Sequence, residues 1–196
     1  MDMQFVIATI EGVSPLLMNN PLNAMQTGIK VGLKEIPMPE TEAETKCYRD
    51  SDNYLYLPVG NVRASMFGAS TSERIGRGAA NKVLAAGLFT HFDRDKAKLY
   101  HPTTGEFISE YVIDTRRAVI QGNGVLRSRA RINEWAAQVP LWVNIDVLPN
   151  PLEVLRHFLE KAGDQVGVLD YRPQKIKGVP GPFGRFRVTD LEYETE

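Results

Sequence analysis

Six short stretches of this chain either alternate hydrophobic with polar residues or are rich in β-branched and aromatic residues, as β-strands are. They predict strands over residues 4–13, 54–57, 97–100, 107–112, 141–148 and 186–193. Helices are predicted over residues 39–48, 60–67 and 79–86, and the clearest helical pattern begins at Pro151. There Leu152, Leu155 and Leu159 recur at helical spacing, and Gly163 stands just beyond the predicted end.

The segment Gln121-Gly122-Asn123-Gly124 gives the clearest local turn signal in the sequence. Asn-Gly tolerates the positive φ angles that a two-residue hairpin turn requires. We therefore predict a β-hairpin in which residues 118–121 pair with residues 125–129, with arginine side chains projecting from a twisted ribbon.

When the insertions are set aside, the predicted elements follow the order βαββαβ, which corresponds to an α+β, ferredoxin-like or RRM-like arrangement. Such a fold has an antiparallel sheet with its helices on one face. We expect a single domain over residues 1–196, because this length lies within the range of one domain. The predicted insertions are a long one after the first strand, at about residues 14–53, and a basic β-hairpin at about residues 115–137.

The composition excludes several classes of protein. The chain has a single cysteine, Cys47, which excludes an intramolecular disulfide and a zinc site of the cysteine-rich kind. No apolar stretch approaches the roughly 20 residues that span a bilayer. The first residues lack the basic flank and long apolar run of a signal peptide. We therefore expect a cytoplasmic protein that has no membrane partner.

The net charge is only −1, but the charges are unevenly distributed along the chain. Two windows contain five basic residues each and no acidic residue, one between Thr115 and Asn133 and one between Tyr171 and Thr189. The acidic residues are concentrated near residues 40–52 and after residue 189. Segregated charge creates local fields that the net charge conceals. The alternative explanation is that these are ordinary solvated arginines on surface strands.

The sequence lacks the residue patterns that support catalysis or metal binding. His91, His101 and His157 lie outside any metalloprotease, nucleophile-elbow or Cys–His motif. Asp50 and Asp52 lack the spacing of a calcium-binding loop. We therefore predict a protein that is not an enzyme and that has no cofactor and no metal.

The second basic window suits phosphate binding. Arginine presents a planar fork of donors that matches a phosphate, and a glycine-rich backbone can approach a phosphate closely. Residues 166–187 combine both features. Tyr171, Phe183 and Phe186 stand nearby and are candidates to stack on bases, although Phe186 fits a core position in the last strand equally well.

Residues 53–63, with the sequence NYLYLPVGNVR, resemble a segment of the RAMP superfamily of CRISPR-associated proteins, in which a strand ends in proline and leads into the first helix. Residues 167–172 and 184–188 resemble the glycine-rich loop before the last strand of that superfamily. The resemblance is closest to the backbone subunit of CRISPR effector complexes or a short phage-borne homologue. It implies an RRM-like palm, insertions that form a thumb, and head-to-tail copies that bind a guide RNA. The basic positions that it matches are Arg63, Arg172 and Arg185.

The sequence therefore predicts a non-catalytic subunit that binds the backbone of single-stranded nucleic acid, RNA in preference to DNA, and that oligomerises along it. Other subunits of a CRISPR complex are further candidate partners. The predicted nucleic-acid-binding residues are Arg63, Arg116, Arg117, Arg127, Arg129, Arg131, Arg172, Lys175, Lys177 and Arg185. Two alternatives remain open. One is an endoribonuclease with His91 or His101 as general base, and the other is a phage protein that mimics a CRISPR subunit and inhibits by binding protein.

Overall fold

The computed structural model describes residues 2–21, 38–120, 123–174 and 180–195, and it has an α+β fold with antiparallel sheets. The strands in these ranges are β1 (Met3–Gly12), β2 (Leu16–Leu17), β3 (Tyr56–Pro58), β4 (Arg74–Ile75), β5 (Gly78–Ala79), β6 (Leu88–Phe89), β7 (Lys96–Tyr100), β8 (Val112–Ile120), β9 (Asn123–Ile132), β10 (Ala136–Asn144) and β11 (Phe186–Tyr193). The helices are α1 (Pro39–Thr45), α2 (Val59–Ala69), α3 (Ala80–Gly87) and α4 (Pro151–Lys161). A 3₁₀ turn covers Phe92–Arg94, and a π-helical turn covers Ala162–Val166. None of the helices in these ranges is long and apolar enough to cross a membrane.

The main sheet has the strand order β11–β1–β10–β7–β3, and β6 also pairs with β10. β1 lies between β10 and β11 and is antiparallel to both. Its residues Val6, Ala8 and Ile10 are fully buried and share one hydrophobic core with residues of α2 and α4. Full burial of each such valine or isoleucine side chain stabilises the fold by about 1.5–3 kcal/mol. The helices and this face of the sheet therefore form a single core.

A second sheet, with the order β2–β9–β8, contains the basic hairpin. β8 and β9 pair in continuous register from Val112 opposite Arg131 to Ile120 opposite Asn123. The hairpin is thus present, but the predicted Asn-Gly turn is wrong, because Asn123 and Gly124 both lie in β9. The connecting residues 121 and 122 lie outside the residues that the structure describes. Burial of Ala130 and Ile132 fixes this register, since a slip of one residue would move them to the opposite face.

The structure confirms the first and last strands, α2 and the helix that begins at Pro151. Other element boundaries were predicted wrongly. Residues 107–112 form only an isolated bridge, from Phe107 to Tyr100, because β8 begins at Val112 and pairs with β9. The strand predicted over residues 141–148 is β10, which pairs with β1 from Ala136 and ends at Asn144. In contrast, α4 ends at Lys161, so Gly163 stands just beyond its end as predicted, within the π-helical turn, where a Cβ would overlap the carbonyl oxygen of Phe186.

Candidate nucleic-acid interface

One face of the β8–β9 hairpin carries four of the predicted arginines. Side chains alternate between the two faces of a strand, and residues opposite each other in the register share a face. The register places Arg116 opposite Arg127, and Asp114 opposite Arg129. We call the face formed by Arg116, Arg127, Arg129 and Arg131 the arginine face. The other face buries Ser128, Ala130 and Ile132 in the interior.

Asp114 holds two of these arginines in place. Its side chain is only 5% exposed, and its carboxylate lies 3.0 Å from the guanidinium of Arg131 and also bonds to that of Arg116. Burial acts to raise the pKa of Asp114, but the hydrogen bonds and charges of Arg116 and Arg131 outweigh it and lower that pKa. Asp114 therefore carries a negative charge that fixes both guanidinium groups against β8.

The other two arginines of this face pair with acids from distant parts of the chain. Arg127 lies 3.6 Å from Glu42 of α1, and Arg129 lies 3.1 Å from Asp170. Glu42 is nearly buried and also accepts a hydrogen bond from the Ser128 backbone N–H at 2.8 Å. These pairs connect the hairpin to the first insertion and to the glycine-rich loop. They leave Arg127 and Arg129 13% and 16% exposed.

The cluster around the arginine face has more positive than negative groups. Lys46 lies 3.5 Å from Glu42, and its pKa is lowered by burial and by the repulsion of Arg129 and Arg127, although Glu42 acts in the opposite direction. Arg172 is close enough to feel the charge of Asp170. We call these groups the arginine cluster; in the described part of the chain it contains six cations and three carboxylates, an excess of three positive charges. The cations are Lys46, Arg116, Arg127, Arg129, Arg131 and Arg172, and the carboxylates are Glu42, Asp114 and Asp170.

The glycine-rich loop packs beside this cluster in an unusual backbone conformation. Positive φ angles occur at Gly167, Leu169, Tyr171 and Gly184, at 72°, 60°, 50° and 72°. A positive φ at a residue other than glycine costs about 1–3 kcal/mol, and such residues concentrate at functional sites. Backbone hydrogen bonds hold the loop, from the Val168 N–H to the Gly184 carbonyl and from the Asp170 N–H to the Leu17 carbonyl.

Arg116 joins the hairpin to this loop directly. Its guanidinium lies 4.7 Å from the ring centroid of Phe183 and 5.9 Å from that of Tyr171. Arg116 is nonetheless 42% exposed, the highest fraction among the arginines of this face. It is therefore the arginine best placed to meet an external anion while the loop keeps it in position.

The structure gathers five of the ten predicted binding residues in one place: Arg116, Arg127, Arg129, Arg131 and Arg172. Arg117 is exposed on the opposite face of the hairpin, beside Gly124. Arg185 is directed away from the cluster, towards the carbonyl and carboxylate of Asp164. Lys175 and Lys177 lie outside the described residues.

Arg63 also lies apart from the cluster, on α2. It donates to the Leu88 carbonyl at 2.8 Å and lies over the ring of Phe67 at 4.6 Å. Burial lowers the pKa of Arg63. These contacts give Arg63 a packing role between α2 and β6.

Two of the aromatic residues proposed for base stacking are core residues. Phe183 is 4% exposed, so the stacking prediction is wrong for it, and Phe186, at 3% exposed, has the core position that was its alternative. Phe186 begins β11 and packs into the core, where its apolar ring is removed from water. The ring of Tyr171 lies 5.9 Å from that of Phe183, and Tyr171 is partly exposed.

Four residues of the cluster were not predicted from the sequence: the acids Glu42, Asp114 and Asp170, which hold the arginines, and Lys46. Asp114 and Asp170 each stand immediately before one of the acid-free windows. A period of two along β8 and β9 would have placed Asp114 on the same face as the arginines. Glu42 and Lys46 gave no comparable signal, because they reach the hairpin only through the tertiary fold.

The three histidines lie at separate places in the molecule. His91 packs edge-on against Trp142, with ring centroids 4.9 Å apart, and His157 contacts Glu73 at 2.6 Å. His101 is exposed beside a turn. Among the residues whose placement the structure gives, no group of three or more potential ligands is arranged to hold a metal ion.

Comparison with protein-family models gives no match, and comparison with curated proteins gives no significant relative.

Proposed function

We propose that this chain is a non-catalytic protein that binds the sugar–phosphate backbone of single-stranded nucleic acid through the arginine cluster. The observation that carries the proposal is the excess of three positive charges within the described cluster, held in fixed positions beside a conformationally strained loop. The resemblance to the RAMP superfamily favours RNA over DNA as the ligand. It also favours assembly of several copies along one strand.

The carboxylates of the cluster favour phosphate binding because they hold the arginines in place before the ligand arrives. A guanidinium that is already oriented loses less side-chain entropy when it binds. Six cations around three carboxylates repel one another, and a phosphate would relieve that repulsion. Phosphate contacts carry no base information, so the binding is expected to be independent of sequence.

The fold is consistent with the proposed family. The strand order β11–β1–β10–β7, with α2 and α4 in the same core, supports a ferredoxin-like arrangement in which β1, α2, β7, β10, α4 and β11 are the six elements. The basic hairpin enters between β7 and β10, and the first insertion enters between β1 and α2. We place both insertions at the nucleic-acid interface, since Glu42 of the first contacts the arginines of the second.

The test is the affinity of the protein for a fluorescent single-stranded oligouridine in the wild type and in Arg116→Ala. The variant keeps the Asp114–Arg131 pair, so we expect it to fold. A hydrogen bond to a charged group contributes about 1.5–3 kcal/mol, so binding should weaken roughly tenfold or more.

Arg156→Ala is the matched control, because Arg156 lies on α4, outside the arginine cluster, is 43% exposed and pairs with Glu160 at 3.8 Å. Its affinity should equal that of the wild type. Equal affinity in both variants would contradict the proposal, as would a wild type that binds no oligonucleotide. Cleavage of the oligonucleotide by wild-type protein would favour the endoribonuclease instead.

A further inference from the structure

Two long strands have an open edge in the described part of the chain. β8, with nine residues, ends the smaller sheet, and β11, with eight residues, ends the main sheet. The remaining strands of five or more residues in these ranges have a neighbour on each side. An open edge presents backbone N–H and C=O groups that can pair with a strand of another chain.

The two edges differ in charge. β8 carries Arg116 and Arg117, and Arg117 is exposed on the face away from the arginine cluster. β11 carries Asp190 and Glu192, both exposed, together with one basic residue, Arg187, which pairs with Glu11 at 2.9 Å. Like charges placed opposite each other across two strands are destabilising, and opposite charges are stabilising. Pairing of β8 with a second β8, or of β11 with a second β11, is therefore disfavoured relative to pairing of β8 with β11.

Two apolar side chains of the β8 edge are also exposed to solvent. Val112 is 45% exposed and Ile113 is 36% exposed, and both lie at the start of β8. Their removal from water would add to the backbone hydrogen bonds of a joined sheet.

We propose that copies of this chain associate head-to-tail by pairing the β8 edge of one copy with the β11 edge of the next. The two surfaces are different, so the contact is heterologous and repeats into a filament or a ring. The inference deepens the self-association named in the proposed function and gives it an interface. Side chains stand above and below a sheet, so the arginine cluster stays accessible to nucleic acid in such an assembly.

The experiment measures the mass of nuclease-treated protein by sedimentation, over concentrations from micromolar to millimolar. Wild type should form a concentration-dependent series of species above the 21.9 kDa monomer. The variant Asp190→Lys/Glu192→Lys reverses the charge of the β11 edge, and Arg117→Glu reverses the exposed charge of the β8 edge. Each variant alone should remain a monomer.

An equimolar mixture of these two variants should assemble again, because each reversed edge then meets an edge of opposite charge. Loss of fold alone would not produce this rescue. The interface is wrong if wild type remains monomeric throughout, if either variant assembles like wild type, or if the mixture does not assemble. Neither variant changes a residue of the arginine cluster. If the variants do not behave as expected in assembly but still bind oligouridine, the result counts against the interface and not against the proposed function.

Discussion

Individual acidic residues determine whether each arginine of the cluster is held in the structure or left exposed to solvent. The two basic windows of the sequence contain no acid, but in the structure their arginines contact Glu42, Asp114 and Asp170, which lie outside the windows. These contacts leave Arg127 and Arg129 mainly structural and leave Arg116 exposed. Charge along the sequence is therefore a guide to the region of the site but not to the role of each arginine.

The Glu73 carboxylate provides a prediction that depends on pH. Hydrogen bonds from Lys161 and His157 lower the pKa of Glu73 below its ordinary value of 4.5. A carboxylate with a depressed pKa stabilises the fold above the unfolded-state value, and this contribution disappears as pH falls through the folded-state value. Glu73→Gln should therefore lower the free energy of unfolding near neutral pH by about 0.5–1 kcal/mol, and the difference from wild type should close below pH 4.5.

Urea unfolding of both proteins between about pH 3 and pH 7 measures this difference. Glu160→Gln is the control, since Glu160 is 56% exposed and pairs at 3.8 Å with Arg156, which is itself 43% exposed. Its effect should be smaller than that of Glu73→Gln at neutral pH. A Glu73→Gln deficit that persists unchanged at low pH would show that the side chain stabilises by packing rather than by charge.

At the level of elements, the glycine-rich loop contains a position at which any side chain would collide with the backbone. Gly184 has φ of 72°, and a Cβ there would overlap the carbonyl oxygen of Val168. Gly105 has a similar φ of 75° but has open space around the Cβ position. The two glycines thus separate the cost of a positive φ from the cost of close backbone contact.

We predict that Gly184→Ala is more destabilising than Gly105→Ala. Each substitution costs about 1–3 kcal/mol for the positive φ, and Gly184→Ala must also displace the backbone of Val168. Thermal unfolding of the two variants gives the comparison, and oligouridine affinity should fall only for Gly184→Ala. Equal melting temperatures for the two variants would mean that the loop accommodates the methyl group.

Elements with a strong local pattern were predictable from the sequence, and elements defined by distant contacts were not. β1, β11 and α4 combine a clear hydrophobic period with a proline or glycine boundary. The hairpin turn was misplaced because burial of Ala130 and Ile132 fixes the register against a local preference of Asn123-Gly124.

At the scale of the whole molecule, the two basic windows come together only in part. The hairpin meets the start of the glycine-rich loop through Arg129 and Asp170, as a binding groove formed from both windows requires. Arg185 and Arg63 lie away from the arginine cluster. Nothing in the sequence separates these two arginines from those that form the cluster. The charge along the sequence therefore indicated two of the segments that form the cluster, whereas the contribution of α1 and the orientation of each side chain required the fold.

The salt dependence of oligouridine binding tests the central claim most directly. On a single strand, the logarithm of affinity falls with the logarithm of salt concentration with a slope of about −0.7 for each phosphate neutralised. With an excess of three positive charges in the described cluster, the wild type should show a slope of roughly −2. Arg116→Ala should reduce that slope by roughly 0.7, and Arg156→Ala should leave it unchanged. A wild-type affinity that does not vary with salt, or a slope that responds equally to both substitutions, would contradict binding of a phosphate backbone at the arginine cluster.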